Sequence, residues 1–405
     1  MSPFVALKFR DFRLLWIGLL ISRIGSEMQV VAVNWQVYLM TGSALSLGLI
    51  GLSRFLPILF FSLFGGIAAD IFNRRKIMLF SQFLMIFVSG VLAFTSYFGH
   101  ISPILIYLLI AGNSLASAFD TPARQSLAPS LLPKKYFMNG VSLNTIMWQT
   151  AIVLGPSLSG FIIAYLGVTS VYIINFFSFF AVIVALIMMK TSGKVTRKTA
   201  YFNLSSLKEG LSFVIKTPII FSSMLLDFFA TFFASATVLL PIFAKDILSV
   251  GPQGLGFLYA APSLGAVIAG TIFSGLGHLK NQGKILIVSV VLYGSATILF
   301  GLSRSFYLSL FLLALIGAGD VVSTIIRNTI RQMTTPDHLR GRMVSINMLF
   351  FYGGPQLGEA EAGVVAAMFG APFSVVIGGA GTILATLILS ALIPQLRKYR
   401  GQDRS

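Results

Sequence analysis

The stretch ALSLGLIGLSRFLPILFFSLFGGIAADIFNRRKIMLFSQFLMIFVSGVLAFTSYF, residues 44–98, decides how the rest of the chain is read. Two apolar runs, 44–69 and 77–98, are each long enough to cross roughly 30 Å of hydrocarbon as an α-helix. One short turn separates them and carries Asp70, Arg74, Arg75 and Lys76. Outward from this hairpin the same pattern continues to both ends of the 405 residues, which are 56% hydrophobic and 10% charged, with a mean hydropathy of +0.89. A water-exposed domain normally has about a quarter of its residues charged. The chain therefore reads as an all-α integral membrane protein, and the short alternating segments of an outer-membrane barrel are missing.

Apolar runs between charged or Gly/Pro breaks place twelve spans, near 13–40, 44–69, 77–98, 103–127, 138–166, 169–190, 219–246, 252–276, 284–302, 305–330, 342–368 and 372–394. No small-residue cleavage site follows the opening MSPFVALKFRDFRLLWIGLL, so the first span is expected to be retained. The net charge of +17 lies mainly on alternate connections, among them Arg74 to Lys76, Lys134 and Lys135, the stretch from Lys190 to Lys216, and Arg397 to Arg404. That is the positive-inside signature of a multi-pass protein with both termini cytoplasmic, and it gives no reason to expect nucleic acid. The absence of cysteine excludes disulfides, thiolate chemistry and iron–sulfur ligation.

The only long polar interruption divides the chain into a first half, 1–190, a cytoplasmic linker, 191–218, a second half, 219–394, and a cytoplasmic tail, 395–405. Within the linker, residues 204–216 read either as an amphipathic helix on the inner leaflet, with Leu207, Leu211, Phe213 and Val214 apolar and Lys208 and Lys216 basic, or as a solvated connection. The halves repeat. A shift of 208 residues sets Asn73 over Asn281, Lys76 over Lys284 and Asp70 over His278. A shift of 203 sets Ser142-Leu143-Asn144 over Ser345-Ile346-Asn347, Arg124 over Arg327, and Gly155 and Gly160 over Gly358 and Gly363. Parallel six-span repeats are one way in which secondary transporters build a midplane site.

With these residues in view, the chain resembles the major facilitator superfamily over essentially its whole length. Gly66-Ile67-Ala68-Ala69-Asp70-Ile71-Phe72-Asn73-Arg74-Arg75-Lys76 is similar to that family's loop between helices 2 and 3, departing from it at Ile71 and Asn73. Gly155-Pro156-Ser157-Leu158-Ser159-Gly160 is similar to the Gly-Pro motif of its exporters, and the opening FRDFRLLWIGLLISRIGSEMQ resembles the branch of siderophore exporters and macrolide efflux pumps. The resemblance implies twelve transmembrane helices in two six-helix bundles related by a two-fold axis along the membrane normal. It also implies export of a siderophore or drug.

Charges inside apolar spans are costly and are functional candidates by default. Arg23 and Glu27 lie one helical turn apart, and Arg54 on the antiparallel second span is expected at similar depth, giving a triad that either binds and titrates or simply neutralises itself. Glu27, Asp227 and Asp320 are the acids expected to couple protons, Glu27 first, because Asp227 and Asp320 show no opposite charge within a turn. Asn34, Gln36, Tyr38, Asn144, Trp148 and Gln149, with Arg23, Arg54, Glu359 and Glu361, are the candidate cavity residues. Gly66, Asp70, Arg74, Arg75, Asp120, Arg124 and Arg327 are expected to form a cytoplasmic gate network. His100, His278 and His338 fall in loops, so the titrating groups are expected to be carboxylates.

No P-loop, zinc-protease or nucleophile-elbow motif is present. The expectation is thus no catalytic residue, no metal and no cofactor, with energy drawn from a gradient. The reading is a monomeric, proton-coupled exporter of an amphipathic small molecule in the lipid bilayer of a bacterial inner membrane. The alternatives are an importer or lipid transporter on the same fold and, beyond those, a non-transporting receptor or membrane enzyme.

Overall fold

A computed structural model describes residues 4–193, 204–276, 280–336 and 339–400. Its helices in chain order are α1 (Arg10–Thr41), α2 (Ala44–Ile71), α3 (Arg74–Tyr97), α4 (Pro103–Leu127), α5 (Phe137–Leu166), α6 (Val168–Met188), α7 (Leu204–Lys216) and α8 (Pro218–Phe233). There follow the single turn α9 (Leu240–Ile242), then α10 (Gly251–Gly275), α11 (Gln282–Leu302), α12 (Phe306–Thr334), α13 (Arg340–Phe369), α14 (Ala371–Leu392) and the short α15 (Pro394–Lys398). Among the described residues eleven helical spans are long and apolar enough to cross a membrane. The twelfth long helix is α13, which carries Arg340, Arg342, Glu359 and Glu361 along its length.

Capping chemistry sets several of these boundaries. The Asn73 side chain accepts from the backbone N–H groups of Arg75 and Lys76 and so starts α3. Ser102 accepts from Leu105 N–H, with Pro103 in the first turn of α4. The span read as continuous over 219–246 is instead interrupted, because regular α-helix ends at Phe233 and the chain proceeds through a 3₁₀ turn at Ala236–Leu239 and a π-turn at Phe243–Ile247. Pro241 has no N–H to donate, and the wider i+5 bond from Leu248 N–H to Phe243 O replaces the α-ladder beyond it.

The chain forms two compact units. Unit 1 comprises residues 1–42, 53–202 and 251–260, and unit 2 comprises 43–52, 203–250 and 261–405, so the first turns of α2 and α10 are exchanged relative to a plain division at the linker. Large apolar side chains project outward, with Phe60, Phe64, Phe80, Phe83 and Phe87 between 57% and 73% exposed, as a lipid-facing surface requires. Small residues mediate close helix approach. A Cβ on Gly155 would lie 2.5 Å from Glu27 Cβ of α1, and one on Gly358 would lie 2.1 Å from Phe232 O of α8. Gly160 meets Gly256 within unit 1, and Gly363 meets Gly48 within unit 2. The glycines matched by the 203-residue repeat thus make equivalent contacts in the two units.

The segment after the sixth span is strapped back in each unit. Arg74 N–H donates to Gly193 O at 3.1 Å, and Gly283 N–H donates to Tyr399 O at 2.9 Å. The helix read over 204–216 is present as α7, and it packs on unit 2. Val214, 1% exposed, joins a cluster with Ile220, Met224, Met343 and Ile346, and Glu209 pairs with Arg342, while Leu211 and Ile215 stay exposed. The Leu207 and Lys208 side chains, His278, His338 and residues 401–405 lie outside the described residues.

Candidate functional site

Unit 1 holds two ion pairs on one polar cleft. Arg23 donates to Glu27 at 2.8 Å along one turn of α1, with the Glu27 side chain 17% exposed. The Arg23 guanidinium lies 3.7 Å from the centre of the Trp148 ring on α5, a cation–π stack that holds it against the apolar wall. On α4, Arg124 donates to Asp120 at 3.4 Å, and Gln82 of α3 donates to the other Asp120 oxygen at 3.2 Å. Arg23, Gln82, Asn113, Asp120, Arg124 and Trp148 line a cleft of about 600 Å3, its open mouth included. Asn144 lines a second, smaller cleft with Arg124 and Gln125.

The expected triad is reduced to a pair, since no ion pair joins Arg54 to Glu27 among the described residues. Gln36 accepts from Tyr172 and donates to Ser96, tying α1 to α6 and α3, and Asn34 donates to Tyr259 at 2.7 Å. Tyr38 is 6% exposed, and Gln149 is half-buried. A further tie absent from the sequence reading joins Gln29, Ser89 and Asn175 in the packed centre of α1, α3 and α6.

Unit 2 holds a four-charge cluster, buried except at Asp320. Arg327 forms an ion pair with Asp227 at 3.0 Å and lies 3.6 Å from Asp320, while Arg331 lies 3.5 Å from the second Asp227 oxygen. Arg327 and Arg331 are 1% and 3% exposed and Asp227 is 4%, whereas the Asp320 side chain is 49% exposed. Thr324, Asn328 and Asn347 accept from the two guanidiniums. Two acids and two bases cancel, which is how such groups are tolerated at low dielectric. Arg327, expected beside Asp70 and the Arg74/Arg75 pair, is instead held within unit 2 by Asp227 and Asp320. These acids have same-unit partners, so neither depends on Arg23 or Arg54. Arg331, read only as a topology charge, is the residue missed. Its signal was available, because 320, 324, 327 and 331 form one helical stripe.

At the α2–α3 turn the arginines bind helix ends. Arg74 donates to Ser126 O near the end of α4 and to Ala69 O, and Arg75 donates to Ile187 O and Met189 O at the end of α6. Carbonyls in the last turn of a helix lack intrahelical donors and carry the negative end of its dipole, so a guanidinium suits them twice over. Asp11 at the start of α1 accepts from Lys190 N–H and from both Thr191 donors, fixing the chain as it leaves α6. Asp70 is exposed and forms no ion pair among the described residues. A Cβ on Gly66 would meet nothing within 4 Å, whereas one on Gly65 would lie 2.1 Å from Ala118 O of α4. Glu359 and Glu361 on α13 are both half-buried, in unit 2.

Comparison with known proteins matches these features to a family. The sequence profile of the transmembrane secretion effectors matches residues 1–404. The enterobactin exporter EntS of Citrobacter koseri is 26% identical over 393 residues, spanning 96% of this chain and 93% of the exporter, and the EntS proteins of Shigella boydii and Escherichia coli match equally. Among solved structures, a bacterial homologue of the human lysosomal transporter Spinster superposes with a TM-score of 0.76 over 98% of this chain and 99% of that one at 13% identity. A bacterial homologue of the iron transporter ferroportin gives 0.70 over 94% and 98% at 17% identity. These structures share the fold, and the profile covers the whole described chain: the protein is a multi-span transporter of the major facilitator superfamily and belongs to its transmembrane secretion effector family.

Proposed function

We propose that this protein is a proton-coupled exporter of an amphipathic organic molecule, a siderophore or drug, working by alternating access in a bacterial inner membrane. Both termini are cytoplasmic in this reading, and the halves 1–190 and 219–394 move as the transporting bodies. The observation that carries it is the full-length match to secretion effectors together with relatives named as exporters of enterobactin. The site supports it from below. Arg23 and Glu27 form a neutral, partly accessible pair within a span, beside an aromatic wall and a polar cleft. Protonation of Glu27 would release Arg23 for a substrate acceptor, which links the proton to the cargo at one pair. Asp320, half exposed, is the second proton candidate, and Asp227 holds the two arginines. Arg74 and Arg75 hold the inner ends of α4 and α6 together as the gate framework.

Counterflow in proteoliposomes against enterobactin, macrolides and lysolipids tests the substrate class. Exchange of enterobactin or a macrolide supports the reading, and exchange of lysolipid alone overturns it. In the same vesicles Glu27→Gln is expected to keep exchange and lose pH-driven accumulation. If Glu27→Gln vesicles still concentrate substrate, the coupling role passes to Asp320.

A further inference from the structure

We propose that the outer seam between α1 and α6 in unit 1 binds an anionic phospholipid, its phosphate on Arg10, Arg13 and Lys190 and its acyl chains along the apolar flanks of the seam. The proposal needs the chain to span a membrane and is independent of what it transports. Arg10, Arg13, Ile17 and Ile21 recur at helical spacing and form one exposed stripe of α1, each isoleucine 45% exposed. Phe177, Val184 and Met188 form a matching exposed stripe on α6. The helices meet beside these stripes at Gly18, where a Cβ would lie 2.8 Å from Ala181 O and 3.2 Å from Ala185 Cβ. The arginines therefore end a lipid-facing surface at headgroup level, where long basic side chains keep their charge in water and their stems on hydrocarbon.

Lys190 joins the arginines through Asp11. Asp11 Oδ2 accepts from Lys190 N–H at 3.1 Å and from the N–H and O–H of Thr191 at 2.8 and 2.6 Å, while Arg10 lies 3.6 Å from Asp11 Oδ1. Asp11 is the single acid in residues 4–26 and 168–193, and three donors of the strap already occupy it. The Arg13 and Lys190 side chains are exposed and meet no acid among the described residues. Topology requires bases on this side of the membrane but is indifferent to the helix face that carries them. Arg74 and Arg75 are spent on helix-end carbonyls, whereas this group keeps its donors for a ligand. Guanidinium forks match phosphate oxygens. A headgroup with its own ammonium would set that charge against three bases, so the occupant is a phosphodiester lipid without a headgroup cation.

The test is lipid titration of the purified full-length protein in detergent, read by native mass spectrometry, with dioleoyl phosphatidylglycerol against dioleoyl phosphatidylcholine. Phosphatidylglycerol is expected to bind about tenfold more tightly. Arg10→Gln combined with Arg13→Gln should weaken phosphatidylglycerol about 30-fold and leave phosphatidylcholine unchanged. Arg397→Gln combined with Lys398→Gln removes the same charge from α15 and should alter neither lipid. Where loss of both α1 arginines impairs insertion, Lys190→Gln carries the test, with phosphatidylglycerol alone weakened about fivefold. Equal affinity for the two lipids, or equal losses in the α1 and α15 variants, overturns the proposal. Displacement of phosphatidylglycerol by glycerol phosphate at matched concentration overturns it too, since a soluble phosphate would then suffice.

Discussion

Removing the charge of Asp227 leaves Arg327, 1% exposed, with only the half-exposed Asp320, and takes from Arg331, 3% exposed, the acid it pairs with. Breaking a buried pair in this way costs about 3–5 kcal/mol, so Asp227→Asn is expected to lower the melting temperature in detergent sharply and to reduce expression. Asp320→Asn should cost less than Asp227→Asn, because its contact with Arg327 is longer, at 3.6 Å, and its side chain is half exposed while Asp227 holds both arginines. Thermal melts of the two variants check this, and equal losses would contradict the assigned geometry. At this scale the sequence was half legible. The stripe from Asp320 to Arg331 could be read from helical spacing, and the Arg23–Glu27 pair was. The partner of Asp227 could not, since it comes from a helix about one hundred residues away in sequence. The same limit applies to Gln36, whose amide is engaged by Ser96 and Tyr172, and to the Asn34 Nδ2, which donates to Tyr259.

Between elements, the α2–α4 crossing turns on Gly65. Gly65→Val is expected to abolish folding or transport, because the branched side chain would have to displace Ala118 backbone, whereas Gly66→Ala should leave both within error. Transport of the two variants at matched expression decides the point. The second test concerns the strap after α6. Arg75→Ala removes two donors to Ile187 O and Met189 O, and hydrogen exchange at Thr191 and Gly193 is expected to speed up relative to wild type, with the rest of α6 unchanged. Helix positions were legible because each apolar run has charged or Gly/Pro ends. The motif was legible as a string, but its mechanics were not: which of two adjacent glycines is crowded, and that the arginines bind carbonyls instead of Asp70, depend on neighbours far away in the chain.

For the whole molecule, the internal repeat accounts for much of the pattern. Gly155 and Gly358 pack on α1 and α8, so shared contacts underlie the glycine matches at the 203-residue offset, and each unit also has a backbone bond from the start of a helix to the segment after its sixth span, donated by Arg74 and by Gly283. The charged groups follow the repeat only in part: Arg124 and Arg327, matched at the 203-residue shift, each pair with an acid, whereas Arg23 and Glu27 fall over Leu226 and Ala230. The central claim is that a proton gradient drives substrate across the membrane. It is tested most directly by accumulation of labelled enterobactin in inside-out vesicles acidified in the lumen. The account predicts concentration above the external level that collapses on adding a protonophore. Accumulation insensitive to the protonophore, with the same label moved equally at zero pH difference, would contradict it.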